Sequence, residues 1–230
     1  MDLFTQGDLL GLAGVYGYVL SVVALSYVLK DRVNNSRKLV HILTGGIVFF
    51  WWSFDTRLVM AGLAAFPFVP LLLLATPKSP IGFLRQSPLG MRSSEGHPYG
   101  LVMYAVSWTI IAYVLFDDLV AASIAVAAMS FGDGMGELIG RKFGIHRYFS
   151  NRSLEGSMTV FLATLLSIIG LFWFYFDLIA YSGGTAPYIP LLFALSISGF
   201  VACLEAVTPG SVDNLVIPLV VAAFLHGMGV

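Results

Sequence analysis

The fold is decided by residues 119–140, LVAASIAVAAMSFGDGMGELIG, where an apolar run ends in two carboxylates set among glycines. As a helix, this stretch is long enough to cross the roughly 30 Å hydrocarbon core of a bilayer. Asp133 and Glu137 are four positions apart, so both carboxylates share one face of that helix. Because ionisable residues inside a membrane span are costly and rare, the pair indicates a functional site.

The composition of the whole chain excludes an ordinary water-soluble domain. Hydrophobic residues make up 58% of the 230 residues and charged residues only 11%, against about 25% in typical soluble domains. The net charge is −1, which gives no basic field for nucleic acid. The single cysteine, Cys203, excludes an internal disulfide and a multi-cysteine zinc site. We expect an all-α polytopic membrane protein, with residues 1–230 forming a single integral-membrane domain.

Eight apolar segments predict a bundle of about eight transmembrane helices. Pro67 and Pro70 should kink the third segment, and the gap between the third and fourth is predicted to be a loop. The eight predicted spans are Leu9–Leu29, Leu39–Phe54, Arg57–Leu74, Tyr99–Phe116, Leu119–Gly140, Ser157–Ala180, Pro187–Val207 and Leu215–Val230.

The basic residues orient these spans. With eight spans, every Lys and Arg except Arg57 lies in a connection on the same side of the membrane. By the positive-inside rule that side is cytoplasmic, and both termini are predicted to be on the non-cytoplasmic side.

Polar groups within the spans gather toward the cytoplasmic face. His41 follows the start of the second span, and the acid pair lies near the end of the fifth. Carboxylate oxygens are the ligands that Mg²⁺ prefers. The candidate metal ligands are Asp133, Glu137, Glu205 and Asp213.

The glycines around the acid pair and the loop that follows it have two interpretations each. Gly136 and Gly140 are four positions apart, a spacing that favours close packing of two helices. The alternative is that these small residues let a phosphate approach the carboxylates. The following loop is either an ordinary positive-inside loop or an anion site at the N-terminus of the next span. The acid pair upstream favours the anion site, because phosphoryl transfer needs carboxylates for a metal beside cations for phosphate. The candidate phosphate-binding residues are Arg141, Lys142, Arg152, Ser153, Gly156 and Ser157.

A second basic cluster, Arg37-Lys38-x-x-His41, leads into the second span. Arg37 and Lys38 either bind phosphate or anchor to anionic headgroups. His41 either accepts a proton or has a structural role.

In this order, four groups of residues resemble the CTP-dependent lipid kinase family that includes dolichol kinase, phytol kinase and the CTP-using diacylglycerol kinase. They are Arg37-Lys38-x-x-His41, Gly132-Asp133 with Gly140-Arg141-x-x-Gly144, the block RSLEGS at 152–157, and Glu205 with Asp213-Asn214. The resemblance covers about residues 37–218 and is strongest to the phytol kinase branch. Arg152 stands where the family usually has Lys, which keeps the charge but exchanges a point cation for a planar fork.

The resemblance implies transfer of the γ-phosphate of CTP, with Mg²⁺, to a membrane-dissolved isoprenoid alcohol at the cytoplasmic face. Asp133 and Glu137, with Glu205 or Asp213, would hold the metal, and Asn214 would orient the nucleotide. The proton acceptor stays open among Asp133, Glu155 and His41. The choice of CTP rests on the resemblance alone.

The alternatives are a diacylglycerol kinase and a CTP-using cytidylyl or phospho-alcohol transferase. A small-molecule transporter would need polar residues along a path through the membrane, and the outer halves of the predicted spans are nearly free of charge.

Overall fold

The computed structural model describes residues 4–29, 36–87, 90, 97–148, 152–182, 191–210 and 212–228, and its regular structure there is helical. Within these ranges no strand forms, and Arg147 and Ser153 make one isolated antiparallel bridge. The predicted all-α class is therefore confirmed.

The chain divides into two compact units, Met1–Val114 and Leu115–Val230. The prediction of a single integral-membrane domain stays a prediction.

The first unit is built from apolar helices with two departures from α geometry. Helix α1 is Gln6–Val28, and α2 is Ser36–Thr44, which continues as a 3₁₀ helix over Gly45–Ser53. A π-helical segment, Val59–Ala65, then leads to α3, Phe68–Leu74. Pro67 directly precedes α3 and Pro70 lies within it, and the predicted kink stays a prediction. A single turn, α4 (Gly82–Arg85), forms within the segment predicted to be a loop, and α5 is Gly100–Val114.

A buried carboxylate fixes the start of α1 to the turn before Val59. Asp8 is fully buried and accepts the N–H groups of Asp55 at 3.1 Å and Thr56 at 3.0 Å. The Thr56 hydroxyl donates to the same carboxylate at 2.8 Å, and Thr5 caps the helix through the Asp8 N–H. A buried carboxylate is stable only when donors reach its oxygens, and these hydrogen bonds supply them.

The second unit is organised around one nearly enclosed helix. Helix α6 (Leu119–Ala127), a π-helical segment (Ala128–Asp133) and α7 (Gly134–Phe143) run on as one helix. In its most apolar 18-residue window 89% of residues are buried, against 28% in the helix that begins at Leu154. The surrounding helices are α8 (Leu154–Phe172, with a π-helical end Trp173–Leu178), α9 (Leu191–Val207) and α10 (Asp213–Met228).

Among the described residues, three helices are long and apolar enough to cross a membrane: Gln6–Val28, Leu119–Phe143 and Leu154–Leu178. Five shorter apolar helices of 10–17 residues coincide with the other five predicted spans. Two of the predicted spans extend into 187–190 and 229–230, which lie outside the described residues. The count of eight crossings and the orientation of the termini stay predictions.

Candidate functional site

Asp133 is the last residue of the π-helical segment in the central helix of the second unit, and it is fully buried. Short π-helical segments are frequent at functional sites because they reposition side chains within a helix. Of two further π-helical segments, Val59–Ala65 carries no acid, and Trp173–Leu178 carries only Asp177, which is exposed. The combination of burial, charge and local geometry therefore distinguishes Asp133.

Thr164 is a polar neighbour of this position that the sequence did not single out. It is fully buried on α8, and a Cβ added to Gly132 would lie 2.5 Å from its Oγ1. Its hydroxyl makes no hydrogen bond to any described residue. A lone Thr in an apolar helix usually bonds its own backbone, so no sequence signal marks it.

Glu137 and Arg141 form an ion pair one turn apart on α7, with an oxygen-to-nitrogen distance of 2.7 Å. The Arg141 side chain is 69% exposed and that of Glu137 14%. A predicted metal ligand is thus paired with a predicted phosphate-binding cation. Lys142, next in the chain, is exposed and lies 5.0 Å from the centre of the Phe143 ring.

Arg152 and Glu205 form a second, far less exposed ion pair. The side chains are 17% and 4% exposed, and the Arg152 Nη2 also donates to the Thr208 carbonyl at 3.2 Å. Removing one partner of a buried pair leaves an uncompensated charge, so this pair fastens the start of α8 to the end of α9.

The first backbone N–H groups of α8 already have acceptors within the protein. Ser153 is the N-cap, and its hydroxyl accepts the Gly156 N–H at 3.1 Å. The Leu154 N–H donates to the His146 carbonyl at 3.0 Å. We expected free N–H groups here that could bind a phosphate. The N–H groups of Gly156 and Leu154 are not free, because the Ser153 hydroxyl and the His146 carbonyl accept them.

Glu155 holds that loop in place. Its carboxylate pairs with Nδ1 of His146 at 2.7 Å and accepts the backbone N–H groups of Ile145 at 3.2 Å and His146 at 3.3 Å. The hydroxyl groups of Tyr148 and Ser157 also form a hydrogen bond across the loop. His146 had no role in the sequence analysis, because only closure of the loop brings it to Glu155.

The glycines pack α7 against α8. A Cβ on Gly140 would lie 3.2 Å from the Ser153 Oγ and 3.3 Å from the Gly156 Cα, tighter than ordinary contact. A Cβ on Gly136 would overlap the Val160 side chain. The interpretation of these glycines as packing residues is confirmed.

Two further predicted residues begin α10 in the same unit. Asp213 and Asn214 are 6% and 7% exposed, and the Asn214 N–H donates to the Asp213 Oδ1 at 2.7 Å. An acid in the first turn of a helix also interacts favourably with the helix dipole.

Asp133 and Glu137 are the carboxylates of this helix that could hold a divalent metal. No group of three or more His, Cys, Asp or Glu side chains forms a metal cage in the part of the chain that the structure describes. Mg²⁺ usually binds to one or two carboxylates plus substrate phosphates and waters. Asp133 and Glu137 supply that number of carboxylates from one helix.

The remaining candidates belong to the first unit. Lys38 and His41 are each 3% exposed, and the His41 ring meets the edge of Tyr104 with 5.1 Å between centroids. Such burial of Lys38 does not fit an anchor to lipid headgroups, whose cations reach the interface. The side chain of Arg37 lies outside the described residues.

The sequence is similar to several curated proteins that share one name. It is 31% identical to the phytol kinase of Synechocystis over 91% of this chain and 86% of the relative. It is 28% identical to phytol kinase 1 of Arabidopsis thaliana over 73% of this chain and 57% of the relative. It is 30% identical to a probable phytol kinase 1 of Glycine max over 96% of this chain and 76% of the relative. No family model and no solved structure matches it.

Proposed function

The chain belongs to the phytol kinase family, and from that premise we propose that it transfers the γ-phosphate of CTP to the hydroxyl group of a membrane-dissolved isoprenoid alcohol. Phytol, geranylgeraniol and longer polyprenols are the proposed acceptors. The observation that carries the proposal is the fully buried Asp133, placed one turn from Glu137 in the central helix of the second unit.

Asp133 and Glu137 are the proposed ligands of Mg²⁺. When bound there, the metal would supply positive charge that offsets the negative charge developing during transfer. Glu205 and Asp213 are the alternative ligands, but Glu205 already neutralises Arg152, so we assign it a structural part.

Arg141 and Lys142 are the proposed cations for the phosphates, because both side chains are exposed. In this proposal Arg141 leaves Glu137 for a phosphate when the nucleotide arrives, which frees the carboxylate for the metal. Because the Arg141 side chain is 69% exposed, water screens this pair, and we expect its separation to cost only about 1 kcal/mol. Arg152, Ser153, Gly156 and Ser157 are the other proposed phosphate-binding residues. Arg152 also pairs with Glu205, and Ser153 also caps α8. For Asn214 the proposed role is to orient the nucleotide.

We assign Glu155 a positioning role rather than that of general base. Its carboxylate is engaged by the His146 ring and by two backbone N–H groups, all of which favour the ionised form in place. Asp133 and His41 remain the proposed proton acceptors. The basic connections between the predicted spans support a cytoplasmic position for the reaction.

The test uses purified protein in detergent with Mg²⁺ and CTP or ATP labelled on the γ-phosphate. Phytol, geranylgeraniol, a long polyprenol and diacylglycerol are offered, and label in the lipid is measured together with the released nucleotide. The proposal predicts labelled isoprenoid phosphate from CTP, with release of CDP. Release of pyrophosphate or CMP would instead indicate a cytidylyl or phospho-alcohol transferase, and label in diacylglycerol alone would indicate a diacylglycerol kinase.

A further inference from the structure

An exposed apolar stripe runs along α8. Large hydrophobic side chains three or four positions apart share one face of the helix, and each is 48–67% exposed. At 1.5 Å per residue the stripe is about 28 Å long, close to the roughly 30 Å of hydrocarbon in a bilayer. It therefore faces lipid, with its first residue at one boundary of the hydrocarbon and its last at the other. The stripe consists of Leu154, Met158, Leu162, Leu166, Ile169 and Trp173.

The loop between α7 and α8 lies at the first of these boundaries. The backbone N–H of Ile145 donates to the Glu155 carboxylate at 3.2 Å. Two residues further on, Arg147 makes its isolated bridge with Ser153. These contacts hold residues 144–148 beside the first turn of α8, which is where Leu154 begins the lipid-facing stripe.

This part of the loop presents apolar side chains next to cations. Ile145 is 81% exposed, Phe143 53% and Tyr148 41%. Arg147 is exposed between them, and Lys142 lies 5.0 Å from the centre of the Phe143 ring. Grouped apolar side chains with this exposure mark an interaction surface, and tyrosine rings are enriched where membrane meets water. Phe143, Ile145, Arg147 and Tyr148 together form what we call the loop surface.

We propose that the loop surface docks on the anionic phospholipid headgroups at the edge of the bilayer. Ile145 and Phe143 enter the boundary between headgroups and acyl chains, and Arg147 binds the lipid phosphates. Lys142 is left to the nucleotide, to which the proposed function assigns it. Continuity with the stripe on α8 selects a lipid surface over another protein chain, and the positive charge selects anionic over neutral lipid.

The loop is already shaped for this contact. The Glu155 carboxylate holds one side of it, and the bond between the hydroxyl groups of Tyr148 and Ser157 holds the other. Docking therefore orders few groups that were free before, so little of the gain is lost as entropy. One cation beside an anionic surface should change the ratio of docked to undocked loop about fivefold.

The test locates Ile145 relative to the bilayer. In a Cys203→Ser background, Ile145→Cys carries a nitroxide label, and the protein is placed in vesicles of phosphatidylcholine with or without phosphatidylglycerol. Electron paramagnetic resonance compares collisions of the label with oxygen, which concentrates in hydrocarbon, and with a water-soluble nickel chelate present on both sides. Leu166→Cys is the lipid-facing control, because Leu166 lies within the stripe and is 67% exposed. Ile145 holds Glu155 through its backbone, so the replacement leaves that contact in place.

With phosphatidylglycerol present, the label at Ile145 should collide more often with oxygen than with the chelate. Without it, collisions with the chelate should rise at Ile145 and stay low at Leu166. Arg147→Gln should lower the docked-to-undocked ratio about fivefold, whereas Arg85→Gln should leave it within about twofold. Arg85 is the matched control because it is an exposed cation of the first unit, so its removal changes the net charge equally.

A label at Ile145 that meets the chelate more often than oxygen in the anionic vesicles would overturn the docking. Equal protection with and without phosphatidylglycerol, or equal losses in Arg147→Gln and Arg85→Gln, would overturn the assignment of anionic headgroups as the partner. The samples contain neither nucleotide nor isoprenoid alcohol, so each outcome is independent of the proposed phosphate transfer.

Discussion

The ion pair between Arg152 and Glu205 allows the most quantitative prediction, because its burial and its second bond are both known. Arg152→Met leaves the Glu205 carboxylate, 4% exposed, without its cation. Breaking a buried pair in this way costs about 3–5 kcal/mol, which in a chain of this size lowers the unfolding temperature by about 6–20 °C.

Arg152→Lys separates charge from geometry at the same position. Lysine retains the cation but not the planar fork whose second nitrogen donates to the Thr208 carbonyl. We expect the loss of about one hydrogen bond, about 1 kcal/mol, and a fall of about 2–4 °C.

The measurement is thermal unfolding in one detergent, followed by circular dichroism. Arg141→Met is the matched control, since the Arg141 side chain is 69% exposed and its pair with Glu137 should contribute about 0–1 kcal/mol. The double variant Arg152→Met with Glu205→Met removes both charges and should recover most of the loss. If Arg152→Met unfolds at the wild-type temperature, or if the double variant is no better than the single one, the pair does not fasten α8 to α9.

The other predictions concern the loop and the helix contacts. Asp8→Ala should lower the free energy of unfolding by about 3 kcal/mol, as measured by denaturant titration. The N–H groups of Asp55 and Thr56 would lose the carboxylate that accepts them. Gly140→Ala should lower the free energy of unfolding by about 1–3 kcal/mol, because the added methyl group crowds α8. Gly170→Ala is the control: nothing lies within 4 Å of an added Cβ there, so the change should be neutral or stabilising. Equal effects of the two changes on the unfolding temperature would contradict the packing of α7 against α8. Glu155→Gln and His146→Ala should lower kcat for isoprenoid phosphorylation by similar factors, because each breaks the same ion pair. The double variant should lower kcat no further than either single variant. Fully additive losses would show that the two residues do not act as a unit.

Hydropathy and short-range spacing predicted much of this structure. The apolar run before Asp133 forms a buried helix that continues through Glu137, as hydropathy predicted. The predicted span began at Ser157, whereas the helix begins at Leu154 with Ser153 as its N-cap. These features are local, so the order of residues determines them.

The features that the sequence did not predict depend on distant contacts. Arg152 meets Glu205 only because α8 packs against α9, and no spacing rule connects them. The π-helical segment at Asp133 differs from α geometry by a hydrogen-bond shift that residue types do not encode. The expectation of free N–H groups at α8 was wrong at Leu154 because the returning loop supplies an acceptor, the carbonyl of His146.

The proposed phosphate transfer depends above all on the buried Asp133 of the second unit, and Asp133→Asn tests that dependence. The side chain keeps its size but loses its charge, so it can no longer hold Mg²⁺ against the phosphates. Transfer from γ-labelled CTP to geranylgeraniol and phytol is compared with that of Asp177→Asn, which changes an exposed acid of the same unit. We predict that Asp133→Asn loses at least about a hundredfold in kcat while folding normally, and that Asp177→Asn retains activity. A folded Asp133→Asn protein that transfers phosphate at the wild-type rate would contradict the account.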